Sequence, residues 1–251
     1  MYRTVLVLTF TVLAGMSSVA QVVNIENLRL KGKDKGWTGS EMLNFAFTQN
    51  TSQIWQIGNR LKLGYLDGQH SVLFTSTLNF VKADVNDFVN DGFEHLRYNY
   101  QLKDSGMVSF ELFKQFQYNK VQAIRLRSIY GGGVRVHAIN QDSAQLIVGV
   151  TPFAEFEDVT DGTYNRHVRL GGYFSLDVQF SKTFGFNTIT YYQPDIIYWK
   201  DYRLSHETSI RAGITRQLGL RVIFNLNYDS FPPAGIPQSF YSISNAISFT
   251  F

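Results

Sequence analysis

The 251-residue chain has no cysteine, which excludes disulfides and thiolate metal sites. It also excludes a lipoprotein anchor, because that processing acylates a cysteine. Long apolar runs are missing as well. The one apolar run, Val5 to Leu13, is shorter than the roughly 20 residues a transmembrane helix needs. Nothing downstream reaches that length, so no transmembrane helix is expected. Lysine and arginine gather in no run and the net charge is only +3; the clustered basic footprint of a nucleic-acid binder is therefore missing. Proline is scarce, at 5 residues. The chain is rich instead in phenylalanine, tyrosine and glycine, and these recur in a pattern.

The N-terminus reads as a secretory signal over residues 1–20. Arg3 supplies a positive start, Val5 to Leu13 the apolar stretch, and Ser18-Val19-Ala20 a small-x-small cleavage site, so that the mature chain begins at Gln21. Residues 21–36 form a short periplasmic segment, and the remaining domain, 37–251, is one β-barrel.

That domain alternates apolar and polar residues nearly from end to end. Val168, Leu170, Phe174, Leu176, Val178 and Phe180 interleave with Arg169, Tyr173, Ser175, Asp177 and Gln179. A strand sends successive side chains to opposite faces, so one face is apolar and the other polar. The same reading recurs around Trp55 to Tyr65, Val72 to Phe80, Leu96 to Leu102, Val108 to Tyr118, Val222 to Tyr228 and Tyr241 to Phe251. About twelve strands result, on the spacing expected of ~10-residue membrane strands. The seventh carries Pro152, which calls for a bulge or a strand end; the ninth, Phe186 to Gln193, alternates poorly. Tight turns such as Asp67-Gly68 roughly alternate with longer polar connections, Ala83 to Gly92, Asp158 to Asn165, Asp195 to Asp201 and Ser230 to Gln238. Short periplasmic turns and long external loops alternate in this way in outer-membrane barrels. An even strand count puts both chain ends in the periplasm.

Alternation alone also fits a soluble sandwich. Strands of ten to thirteen residues, against a mode of ~5–6 in soluble proteins, favour lipid. So do aromatic residues near the strand ends, as girdles require, and the export signal. Asn59, Ser76, Lys114 and Asn245 interrupt the presumed lipid face. Lys114 is the hardest to place: it snorkels, or the strand phase slips there. The fold class is thus all-β, a single closed antiparallel transmembrane β-barrel of about 12 strands in the outer membrane. Its partners are outer-membrane lipid and the barrel assembly machinery, which would read the aromatic strand ending at Phe251. No nucleic acid and no cofactor is implied.

The polar row gives the candidate binding residues, all lining the lumen: Arg60, Lys62, Arg97, Glu111, Arg135, Arg169, Asp177, Arg211 and Arg221, with Glu155 and Glu207 on the same row. Mixed charges in a narrow barrel either pair and fill it or line a thin aqueous path. Twelve strands fall short of the ~16–18 that leave a wide channel, so a plugged or narrow lumen is expected.

Three stretches resemble a known family: His95-Leu96-Arg97-Tyr98-Asn99-Tyr100, Asp201-Tyr202-Arg203-Leu204-Ser205-His206-Glu207-Thr208, and Tyr228-Asp229-Ser230-Phe231-Pro232-Pro233-Ala234-Gly235. They look like the salt-induced outer-membrane proteins, a family classed by a domain of unknown function, over about Trp37 to Phe251. Asn99 stands where that family usually has Asp. The resemblance implies an outer-membrane barrel and expression under envelope stress; it implies no catalytic residues.

Other candidates have plain alternatives. His206-Glu207-Thr208 is the one formal match to the His-x-Ser/Thr pair of lipid hydrolases, but its parity turns His206 and Thr208 toward lipid. His95 reads as a lumen histidine in a hydrogen-bond network. His137 and His167 stand alone, without metal-ligand spacing. Gly131-Gly132-Gly133 lies inside a strand and suggests close strand packing rather than a phosphate cradle. Asp158 and Asp161 lack the calcium-loop pattern. The functions left open are a non-enzymatic envelope component, structural or weakly conducting; a narrow charge-selective channel; a lipid hydrolase on the wall; and, most distantly, a soluble ligand-binding barrel.

Overall fold

The computed structural model describes residues 35–49, 51–102, 106–215 and 217–249. The expected signal, nearly all of the periplasmic segment, and the terminal Phe251 lie outside the described residues. Twelve strands follow one another: β1 (Gly36–Gln49), β2 (Gln53–Asp67), β3 (His70–Ala83), β4 (Asn86–Gln101), β5 (Val108–Asn119), β6 (Ile124–Asn140), β7 (Ala144–Val159), β8 (Tyr164–Gln179), β9 (Phe184–Pro194), β10 (Tyr202–Gly213), β11 (Leu218–Asp229) and β12 (Ser239–Phe249). Each pairs antiparallel with its neighbours in sequence order, giving one up-and-down sheet. Among the described residues no ladder joins β1 to β12.

The burial pattern is inverted relative to a soluble protein. Arg127, Arg135 and Arg169 are each 1% exposed, while Leu112 is 62% and Ile243 68% exposed. The sheet therefore curls with its polar row inside and its apolar row outside. A soluble sandwich would do the opposite, so the inversion decides between the two readings that alternation leaves open. The outward row ends in aromatic contacts at both rims. Trp37 packs on Tyr65 and Phe180 on Phe184 at one rim; Phe47 packs on Trp55, and Tyr192, Tyr202 and Tyr228 form a run at the other. These are the amphipathic rings that sit at a membrane interface.

Lys114 causes no slip of phase. It faces outward between Leu96 and Tyr130 in the ladders, with its ammonium 4.5 Å from the centre of the Phe116 ring. The aromatic face partly replaces the lost hydration of the cation. Asn59 is likewise satisfied on the outer face, donating to Glu41 Oε1 at 3.3 Å.

Two sequence expectations need correction. The stretch Ala83 to Gly92 is not a long loop: β4 begins at Asn86, leaving a tight connection in which Asp84 adopts φ 52°. Asp158 to Asn165 shortens in the same way, because β7 and β8 extend into it. Strands here run from 11 residues in β9 to 17 in β6, longer than alternation alone suggested, and polar strand ends projecting past the bilayer read as loop in the sequence. The second correction concerns Pro152, which sits within β7 with no strand end and no register shift beside it. Proline has no N–H to give, and the glycine run of β6 lies opposite. A Cβ on Gly133 would stand 2.0 Å from the Val150 carbonyl oxygen. The glycines let the two backbones approach where the ladder lacks a donor, which is the close packing expected of them.

Candidate functional site

The inward row of β4 to β10 is bulky and charged. Arg203, on β10, donates through Nε to Asp229 Oδ2 on β11 at 2.8 Å. Its other nitrogens reach past β9 and β8 to β7, with Nη1 2.5 Å from Glu155 Oε2 and Nη2 3.2 Å from Glu157 Oε2. Three strand spacings are about 14 Å along a wall, too far for an arginine; the contact forms because the wall curves. Arg127 on β6 holds Glu157 from the other side, its Nε 2.6 Å from Oε2. Arg169 on β8 lies 3.5 Å from Glu155 Oε1 and 2.9 Å from Asp201 Oδ1. This first cluster thus contains Arg127, Arg169 and Arg203 against Glu155, Glu157, Asp229 and Asp201.

A second cluster centres on Glu111 of β5. Nη1 of Arg97 and Nη1 of Arg135 each stand 3.9 Å from its Oε2. Tyr173 on β8, again three strands away, donates its hydroxyl to Oε1 at 3.2 Å. Between the clusters lies a cavity of about 40 Å³ bordered by His95, Phe113, Phe153 and Tyr191, room for a few waters at most. The His95 ring lies between those of Phe93 and Phe113. Ile147, Tyr173, Ile189 and Tyr191 make a buried apolar group. This side of the lumen is filled.

Of the nine residues read from the polar row, the structure brings Arg97, Glu111, Arg135 and Arg169 into the buried network. Arg60 and Arg221 lie exposed and Lys62 half-buried on β2 and β11, while exposed Arg211 and half-buried Asp177 sit near the ends of β10 and β8, outside the network. The sequence reading missed Arg127, Glu157, Arg203, Asp201 and Asp229. Their signal was parity: Glu157 follows Glu155 by two, and Arg203 precedes Glu207 by four, so both share the inward row. Asp201 and Asp229 sit at strand ends, where parity is read least securely.

His206 faces outward, as parity required. Its Nδ1 lies 2.9 Å from the Thr190 hydroxyl and its Nε2 2.9 Å from that of Thr208, and Thr208 meets Thr188 at 2.8 Å. Among the described residues no carboxylate orients the ring. Mutual bonding of the four groups satisfies polar atoms on an apolar wall, where lipid offers no partner. Asp158 pairs with Arg125, Nε to Oδ2 2.7 Å. Asp161 accepts from the Thr163 amide at 2.8 Å, and that bond holds its carboxyl below the usual carboxylate range. They share no ligand point.

His167 does not stand alone, contrary to its sequence context. On the inward face of β8, at the rim, its Nδ1 is 2.8 Å from Asp195 Oδ2 and 3.7 Å from Asp201 Oδ2. The two aspartates bound the β9–β10 connection, 28 and 34 positions along the chain, a spacing no local motif displays. Among the described residues this is the one His/Asp/Glu group close enough to hold a metal ion.

An inverted, polar-lined, up-and-down sheet of twelve long strands defines the class: a transmembrane β-barrel. The chain belongs to the family described as "Protein of unknown function, DUF481", which matches residues 48–243. No curated protein matches it. Among solved structures it is similar to a NanC porin at 9% identity, covering 84% of this chain and 99% of that one with a TM-score of 0.46. It is similar to a KdgM porin at 11% identity, with 86% and 98% covered and a TM-score of 0.42. A bacterial polysaccharide outer-membrane secretin matches at 9% identity, 85% and 80% covered, with a TM-score of 0.47.

Proposed function

We propose that this protein is a non-enzymatic outer-membrane barrel that passes small solutes along one side of its lumen and favours anions. One observation carries the reading: the inward row is divided. Bulky paired charges and aromatic rings fill the β4–β10 side. Most inward positions of β1 and β12 carry short neutral side chains, Thr38, Ser40, Asn44, Ala46, Ser242 and Ser244, beside Met42 on β1 and Gln56, Arg60 and Lys62 on β2, and short side chains leave space. Into that space project Arg60 and Arg221, both exposed. A polar path lined by fixed positive charge selects by sign and size. The apolar outer row supports outer-membrane lipid as its surroundings, and the assembly machinery would read the strand ending at Phe251. Expression under envelope stress is the physiological setting the family resemblance suggests.

The test is single-channel conductance of the refolded barrel in a planar bilayer, with insertion checked by heat-modifiable migration. Steady current with anion preference, weakened in Arg60→Ala/Arg221→Ala, is the expected result. A silent but inserted barrel would sink the channel reading and leave a closed envelope component, the reading favoured by the filled β4–β10 side.

A further inference from the structure

We propose that His167, Asp195 and Asp201 form a divalent transition-metal site at the rim that carries the β9–β10 connection. The site does not depend on whether the lumen conducts.

The first support is orientation. Each aspartate has one oxygen occupied in holding it and the other turned to the shared point. Oδ1 of Asp195 accepts the amides of Ile197 and Tyr198 at 2.7 and 2.9 Å, which leaves Oδ2 beside His167. Oδ1 of Asp201 lies 2.9 Å from Arg169, and Oδ2 faces the His167 ring at 3.7 Å. The connection is itself fixed, with Asp195 donating its amide to the Asp201 carbonyl at 2.8 Å and Ile196 to that of Val168 at 2.9 Å. Outer-shell partners that fix ligand direction in this way are the normal support of a metal site.

The second support is distance. Bonds of ~2.0–2.2 Å to nitrogen and oxygen at tetrahedral angles put ligand atoms roughly 3.3–3.6 Å apart. The observed 2.8 and 3.7 Å lie on either side of that value, and all three ligand atoms fall within 4.8 Å of one another. Small side-chain movements would seat an ion. Three ligands leave a fourth position open to water at the rim.

The third support is charge, and it is independent of the cluster's own geometry. The connected rim network holds three arginines, Arg127, Arg169 and Arg203, against five carboxylates. Counted without His167, that network has two more carboxylates than arginines. Asp195 and Asp201 are only 5% and 8% exposed. An excess of carboxylates around a buried point favours a cation there. The Glu111 cluster has the opposite imbalance, two arginines to one carboxylate, and offers no such point. One imidazole with two carboxylates suits zinc or manganese.

The test uses the full refolded barrel and Co²⁺ as a spectroscopic probe, with Zn²⁺ as competitor. Wild type is expected to bind Co²⁺ with visible d–d absorption that Zn²⁺ abolishes, and its thermal transition should rise with metal concentration. His167→Ala and Asp195→Asn should each weaken binding at least ~10-fold and lose the metal-dependent thermal shift, while remaining heat-modifiable. Asp195→Asn keeps the oxygen that accepts the Ile197 and Tyr198 amides, so it separates loss of a ligand from loss of the loop. Absence of Co²⁺ absorption in wild type, or binding unchanged in both variants, would overturn the proposal.

Discussion

The two sides of this lumen obey different rules although one alternation produces both. On the β4–β10 side the inward residues are long, charged and aromatic, and they meet across the barrel. On the β1, β2 and β12 side most are short and neutral, with Arg60 and Lys62 of β2 the charged exceptions. The first side spends its polar groups on one another; the second leaves them to water and solute. On the proposed reading, stability and conduction belong to opposite walls, and substitutions should separate them.

The largest expected effect is Arg203→Ala. It takes one guanidinium away from Glu155, Glu157 and Asp229 at once in a buried network, a cost of about 3–5 kcal/mol. Urea unfolding in lipid vesicles should show it, against Arg221→Ala, which should stay within ~0.5 kcal/mol. Equal losses from the two would erase the distinction between the walls. Next comes Gly133→Ala, whose new methyl would collide with the Val150 backbone and cost about 1–3 kcal/mol by overpacking, measured in the same way. Ala46→Trp on the open wall should instead leave unfolding within ~0.5 kcal/mol while lowering single-channel current; a current unaffected by it would place the path elsewhere.

The smallest effect concerns the rim. The amide of Gln53, at 2.9 Å, and then the Ser52 side chain hold the Asp84 carboxyl below its ordinary value. A depressed folded-state value means that its contribution is present above the unfolded value and is lost as pH falls through the folded one. Asp84 is fully exposed, and Asn tolerates its positive φ and still accepts the hydrogen bond. Asp84→Asn should therefore remove a slight acid-side dependence of unfolding and change nothing at neutral pH.

Much of the architecture was legible beforehand. Period-two alternation gave the strand number and the row of each residue, so Arg97, Glu111, Arg135 and Arg169 were placed inward correctly. Loop lengths were not, because polar strand ends such as Asn86 to Gly92 carry the composition of a loop and only cross-strand pairing shows them extended. Partners were not legible either: Arg203 with Glu155, Tyr173 with Glu111, and His167 with Asp195 and Asp201 lie 28 to 62 positions apart.

By itself, then, the sequence determined which side chains share a face, since each strand's pleat alternates strictly and needs no knowledge of the rest of the chain. Only the tertiary structure decided which charges meet and which wall is filled. Those depend on the direction and tightness of the sheet's curl, a property of twelve strands together that no single strand encodes.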